Sequence, residues 1–248
     1  MSQTRDLQKH IRCAPGDVAP YVIVPGDPGR AHRIAAAMDS AEQIADNREY
    51  VVYTGQTGGV PVSVCSTGIG GPAASIAFEE LARVGAQTLI RVGSAGGRQP
   101  DIAIGTAIVI NAAHRGEGTS KVYLPPEFPA VADRIVTNAL VAATERAGVD
   151  YRVGIGYTRD AYYVRDTALN QRLTEVGVVA AEQEAAVLFI VGQCLGLRTG
   201  AIVATDSNIW LPEQPTLAEK ELLFATGEQQ AISIALQAVQ LLAEDEAS

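Results

Sequence analysis

Two arginines in this chain stand beside glycine-bearing turns. Arg30 belongs to VIVPGDPGRA, residues 22–31, and Arg91 to LIRVGSAGG, residues 89–97. A third glycine-bearing segment, STGIGGPAASIAFEEL, covers residues 66–81. Each follows an apolar β-like run and reads as a strand turning into a loop or helix. There backbone N–H groups point outward and glycine lets a ligand come close. Guanidinium forks next to such turns suit an oxyanion such as phosphate. Taken alone, Arg30 is a solvated helix-opening arginine. The GDPGR context favours the anion site, because Gly26 ends a buried run, Pro28 suits a first helical turn and Arg30 can swing back over it. Arg91 ends the apolar run Thr88–Ile90 and needs an anionic partner so close to a core, either a bound ligand or a structural carboxylate. Ser94 and Gly93 add a hydroxyl and backbone amides to the same place.

The acidic candidates are fewer. Glu182, Gln183 and Glu184 precede the apolar helix AAVLFIVGQCLG. They are either helix-dipole partners or, for Glu184, an acceptor for a vicinal diol, which a proton-free carboxylate matches well. Asp206 follows the buried run Ala201–Thr205. It is either a turn or N-cap aspartate or a general acid with a raised pKa at a strand end. Lys220 and Trp210 lie downstream, within reach of the same place. The three histidines, His10, His32 and His114, show no metal-ligand spacing, so no metal site is expected. Ser75 and Ser94 lack the context of a nucleophilic serine.

These groups must be positioned by a chain of 248 residues, long enough for one large core. The residues are 47% hydrophobic and only 5% aromatic, pointing to Val, Ile, Leu and Ala packed between layers. A net charge of −9 argues against a nucleic-acid surface but not against a small anionic ligand held by local arginines. Cys13, Cys65 and Cys194 are odd in number and far apart, which fits a reduced, intracellular chain. With no apolar run of membrane-spanning length and no signal-like N-terminus, the expectation is a cytoplasmic protein.

Short β-branched runs recur at 21–24, 60–65, 88–92, 107–111, 151–156, 178–180 and 201–205. Helix-length segments with apolar spacings of three and four lie at 72–84, 130–147 and 183–195. A long C-terminal helix is predicted over 215–244, with Leu217, Leu222, Phe224, Ile232, Ile234, Leu236, Val239 and Leu242 facing inward and Gly227 as a break or bend. Residues 50–55 and 60–65 read as a hairpin. The alternation predicts a single three-layer α/β domain over 1–248, with a central mixed β-sheet flanked by helices.

In combination, VPGDPGRA, NREY, STGIGGPAASIAFEEL, IRVGSAGG, FPAVAD and AEQEAAVLF resemble the nucleoside phosphorylase family of hexameric purine nucleoside phosphorylases and uridine phosphorylases. The likeness runs from His10 to about Leu242. It implies a phosphate site of Gly26, Arg30, Arg91 and Ser94, with Arg48 arriving from a neighbouring subunit. It implies a ribose site of Glu182, Gln183 and Glu184, with His10 reaching a neighbour's nucleoside 5′ end, and a base site of Gly96, Tyr162 and Asp206. Asp206 would be the acid, supported by Lys220. Inorganic phosphate is the co-substrate and no cofactor is implied. The partners are nucleoside, phosphate and further copies of the chain, a hexamer built as a trimer of dimers, with no nucleic acid and no membrane.

Uridine-specific relatives carry a glutamine and an arginine just after a Phe-Tyr pair. Tyr162–Tyr163 is instead followed by Val164–Arg165–Asp166–Thr167–Ala168, whereas Thr205–Ile209 resembles the aspartate loop of the purine enzymes. The resemblance therefore favours phosphorolysis of a purine nucleoside, with uridine or a 5′-modified adenosine as the alternative substrates. A water-using hydrolase and a non-catalytic nucleoside-binding protein are the remaining rivals. Two positions depart from the family: Gln183 replaces a methionine between the glutamates, and Lys220 replaces an arginine.

Overall fold

The computed structural model describes residues 6–247. The first half comprises β1 (Tyr21–Ile23), α1 (Pro28–Ala36), β2 (Ser40–Asn47), β3 (Tyr50–Thr57), β4 (Val60–Cys65), α2 (Gly71–Arg83), β5 (Thr88–Gly97) and β6 (Ala107–Gly116). There follow α3 (Thr119–Tyr123), β7 (Ala130–Val131), α4 (Arg134–Ala147), β8 (Tyr151–Arg159), α5 (Thr167–Glu175) and β9 (Ala180–Glu182). The chain then runs through α6 (Ala185–Leu195), β10 (Arg198–Ser207) and α7 (Leu217–Glu246).

All the strands join one mixed sheet, in the order β10-β6-β8-β9-β5-β1-β4-β3-β2, with β7 on β6. Because β10 also pairs with β5, the path β5-β9-β8-β6-β10 closes on itself. The strands meeting at β5 are parallel to it in β1 and β10 and antiparallel in β9. Two cores lie on opposite faces of the sheet. One buries α2 and α6 through Phe78, Leu81, Leu188 and Phe189. The other buries α1, α4 and α7 through Ile34, Leu140, Ile234 and Val239. This is the predicted three-layer α/β domain. No helix among the described residues is long and apolar enough to cross a membrane.

Several local expectations change in the structure. The predicted turn in LIRVGSAGG is strand throughout, since β5 runs to Gly97 and pairs with β10 and β9 along its second half. Arg91 is thus the fourth residue of a ten-residue strand, not its end. The helix expected from Ala130 starts at Arg134. Ala130–Val131 first pairs with β6, and the Asp133 carboxylate then caps the N–H groups of Ile135 and Val136. The helix expected from Gln183 starts at Ala185, and the strand expected at 178–180 lies at 180–182.

In α7 the inward stripe begins at Phe224, which packs against the second core; Leu217 and Leu222 are exposed in the opening turns. Gly227 does not break the helix. A β-carbon there would lie 2.3 Å from the Gly105 carbonyl oxygen, so glycine lets α7 pack directly on the β5–β6 connection.

Candidate active site

Arg30 is fixed by the start of α1. The Asp27 carboxylate accepts from the N–H groups of Gly29 (2.9 Å) and Arg30 (2.8 Å), and Pro28 opens the helix. The side chain then turns into the protein and is only 6% exposed. Its Nε donates to Glu228 Oε1 at 2.6 Å and its Nη1 to the Val92 carbonyl at 3.3 Å, which brings it beside β5. Glu228 is itself buried on α7 and is also held by Arg33 Nε at 2.7 Å. Its carboxyl stays below the usual range: burial acts to raise it, but the hydrogen bonds from Arg33 and Arg30 prevail.

Arg91, 4% exposed, donates through Nε to Glu182 Oε2 at 3.0 Å and pairs through Nη2 with Glu184 Oε2 at 2.6 Å. Gly93 makes room for this guanidinium, since a β-carbon there would sit 2.7 Å from Arg91 Nη2. Both readings of Arg91 therefore meet in one residue: it has structural carboxylate partners, yet uses two of its five N–H donors on them. Arg30 likewise uses two of five, so each fork keeps donors that these contacts do not use.

The two glutamates differ. Glu182 is filled by the protein: Oε1 accepts from Thr158 Oγ1, and Oε2 from Arg91, Glu184 N and Ala185 N. Glu184 accepts from the backbone N–H of Gly70 and from Arg91. Burial pushes its carboxyl above the ordinary range, with Arg91 opposing and the charge of Glu182 adding to the rise. Arg91 stays firmly charged, because the two glutamates outweigh its desolvation. Gln183 points elsewhere, its amide donating to the Asp160 carbonyl at 3.0 Å.

The remaining predicted residues are spread over several elements. Gly26 is buried with its α-carbon facing the Gly68 carbonyl, so the first and second glycine segments touch. Ser94 and Gly96 lie on β5 beyond Arg91, and Ser207 Oγ approaches the Gly96 position. Asp206 occupies a bulge in β10 where the register against β5 shifts between Thr205 and Ser207; its Oδ1 accepts from Ser207 Oγ at 2.7 Å. Tyr162, 57% exposed, stands edge-on to Tyr163 with Arg159 over its ring.

Lys220 is not joined to Asp206. Its amine donates to Gln214 Oε1 at 3.1 Å, which removes the expected acid-supporting contact. His10 and Arg48 sit together at an edge. Asn47, next to Arg48, donates to the His10 carbonyl at 2.7 Å, while the His10 ring and backbone N–H bind Glu80. Arg48 is exposed in the β2–β3 turn with φ 58°, and among the described residues its side chain has no hydrogen-bond or ion-pair partner.

The sequence did not single out Glu228, Thr158 or Arg98. Glu228 was legible only as a charge inside the apolar stripe of α7, where an isolated glutamate implies a buried partner.

The geometry gathers two buried guanidinium groups with unused donors and the buried carboxylate of Glu184, and similarity to known proteins identifies the family. The profile of the Phosphorylase superfamily matches residues 20–240. The chain is 45% identical to a uridine phosphorylase of Thermococcus kodakarensis, over 96% of this chain and 87% of that one. It is 41% identical to a guanosine phosphorylase of Halorubrum lacusprofundi, over 82% of this chain and 84% of that one. The crystal structure of a uridine phosphorylase from Vibrio fischeri ES114 superposes with a TM-score of 0.90 at 36% identity, covering 97% of this chain and all of that one. The chain belongs to the Phosphorylase superfamily as a nucleoside phosphorylase, and is therefore a pentosyltransferase.

Proposed function

We propose that the chain catalyses reversible phosphorolysis of uridine to uracil and ribose 1-phosphate. The observation that carries the phosphorylase chemistry is the pair of buried guanidinium groups, Arg30 and Arg91, each with unused donors beside the buried Glu184. In this scheme phosphate is held by Arg30, Arg91, Ser94 and the backbone at Gly26. Glu184 accepts hydrogen bonds from the ribose diol and keeps C1′ over the phosphate. Glu182, filled by Arg91 and the backbone of the β9–α6 turn, positions both. A phosphate oxygen forms the new bond to C1′ as the glycosidic C–N bond breaks, and the bonding pair leaves with the base. Positive charge building on the sugar ring is offset by the adjacent anion.

Uridine is proposed as the base-bearing substrate because relatives of 45% and 40% identity, each aligned over 96% of this chain, are uridine phosphorylases. The sequence favoured a purine, and that remains the second proposal. It rests on Asp206, whose place on the β10 bulge suits a proton donor to a purine ring nitrogen, and on the guanosine phosphorylase relative. Arg48 and His10 are proposed to serve the site of a second copy, because Arg48 is exposed and, among the described residues, without a side-chain partner at the same edge as His10. A dimer is then the smallest active unit, and a trimer of dimers the assembly proposed.

The test is a panel of uridine, guanosine, inosine, adenosine and a 5′-modified adenosine, each with and without phosphate. Uridine is expected to give the highest kcat/KM, only with phosphate and with ribose 1-phosphate formed in step with uracil. A higher value for guanosine or inosine would replace uridine with the purine substrate, and base release without phosphate would replace phosphorolysis with hydrolysis.

A further inference from the structure

The far end of β5 carries a buried cation whose donors the fold does not fill. Arg98 directly follows Gly97 and is 5% exposed. Its Nη2 donates to Asn170 Oδ1 at 2.6 Å, and its guanidinium carbon stands 5.6 Å from the centre of the Tyr157 ring. Its Nε is buried with no hydrogen-bond partner. Arg115, also buried, is the contrast: all three of its guanidinium nitrogens donate to oxygens, among them the carbonyls of Ser120, Leu124, Pro125 and Phe128. Arg30 and Arg91 hold carboxylates. Among the described residues no carboxylate pairs with Arg98. Burial, with the like charge of Arg159 added, holds its guanidinium below the ordinary arginine value. A buried cation in that state is costly unless an acceptor arrives.

Its place in the fold says where that acceptor comes from. Gly96 and Gly97 pair with Ala181 and Ala180 of β9, Tyr157 pairs with Ala181, and β9 ends on Glu182. Asn208, two residues after Asp206, donates to the carbonyls of Gln99, the residue after Arg98, and of Ile102. Arg159, at the end of β8, stands 5.6 Å from the centre of the Tyr162 ring. Arg98 therefore follows Gly96 and Gly97 at the end of β5, with its guanidinium against Tyr157 of β8 and Asn170 of α5 and with the neighbouring Gln99 carbonyl held by Asn208.

We propose that Arg98, oriented by Asn170 and Tyr157, is a specificity residue that donates its unfilled N–H groups to a ring carbonyl of the base. The site then takes oxo bases (uracil, hypoxanthine, guanine) and rejects the amino counterparts at the same ring position (cytosine, adenine). An amino group offers hydrogen where a guanidinium needs a lone pair, so the wrong base leaves a buried cation unpaired. The inference rests on the phosphorylase chemistry proposed above and goes beyond it by naming what reads the base, whether pyrimidine or purine.

The test is steady-state kinetics on two matched pairs, uridine against cytidine and inosine against adenosine, for the wild type, Arg98→Leu and Asn170→Asp. Wild type is expected to prefer the oxo member of the pair it cleaves. Arg98→Leu should raise the KM for that oxo nucleoside about 10–100-fold, the loss of a charge-assisted hydrogen bond, and bring the oxo-to-amino ratio close to one. Asn170→Asp keeps the guanidinium but supplies it with a carboxylate, and should erode the same ratio. In both variants the phosphate KM should stay within about twofold of wild type, which a general distortion of the site would not allow, and thermal unfolding should show the variants folded. Unchanged oxo-to-amino ratios in variants that still phosphorolyse would overturn the role of Arg98 and leave the phosphorylase chemistry standing. A wild type that cleaves no nucleoside in the presence of phosphate would overturn both.

Discussion

At the proposed oxyanion end of the site, Arg30 and Arg91 are buried and gripped by carboxylates on α7, β9 and the turn into α6. At the proposed base end, Tyr162 and Tyr163 are exposed on the segment between β8 and α5, and Asp206 stands on a strand bulge with Ser207 as its side-chain partner. The first end is assembled from three distant parts of the chain before any ligand arrives. The second is a surface segment around one buried cation. Chemistry that must stabilise developing charge gains from fixed dipoles in a dry interior, whereas recognition of different bases can be carried by loops that change without disturbing the core.

The largest effect should come from breaking the buried end. Arg91→Ala leaves Glu182 and Glu184 buried without their cation, which should cost about 3–5 kcal/mol of stability in urea unfolding. It should also lower kcat for phosphorolysis by about 10²–10³. Unchanged kcat and phosphate KM would remove Arg91 from the site. Asp206→Ala sharpens the comparison at the other end. If Asp206 is the acid for a purine, kcat for guanosine falls about 10²–10⁴ while uridine, which lacks that ring nitrogen, is spared. Equal losses on both substrates would make Asp206 a structural residue of the bulge.

Glu184 gives a pH signature. It accepts from the diol only as a carboxylate, and burial raises its pKa. The acidic limb of kcat/KM should therefore begin to fall at a pH above the ordinary carboxylate range, and Glu184→Gln should abolish that limb along with most of the activity. A limb at the ordinary carboxylate position would assign the ionisation to another group.

Glu228→Ala removes the partner that orients Arg30 without touching the nucleoside side. It should raise the phosphate KM about tenfold and leave the nucleoside KM alone, with Glu228→Gln recovering part of the loss. Equal rises in both constants would mean a general disturbance of α7. The smallest effect belongs to Lys220→Met. With its amine on Gln214, this change should alter kcat less than about threefold on any substrate; a loss as large as that of Asp206→Ala would restore Lys220 to the acid's support.

How far these features could be read in advance follows the same division. The anion arginines were visible because each sits in a short segment whose own residues explain it: Asp27, Pro28 and Gly26 around Arg30, and an apolar run before Arg91. The continuation of β5 through GSAGG was hidden, since its glycines signal turns locally and strand pairing on both sides overrides that signal. β2 was missed because its polar residues form an exposed edge strand paired with β3. Glu228, 198 residues from Arg30, and Arg98, whose meaning depends on a partner it lacks, are tertiary facts with no local pattern.

A crystal structure of the phosphate-bound enzyme tests the central claim most directly. One tetrahedral ion is expected between Arg30, Arg91 and Ser94, with Arg48 of a second copy completing its shell and Glu184 facing the open side. An ion bound elsewhere, with both guanidinium groups still donating only to Glu228, the Val92 carbonyl, Glu182 and Glu184, would contradict it.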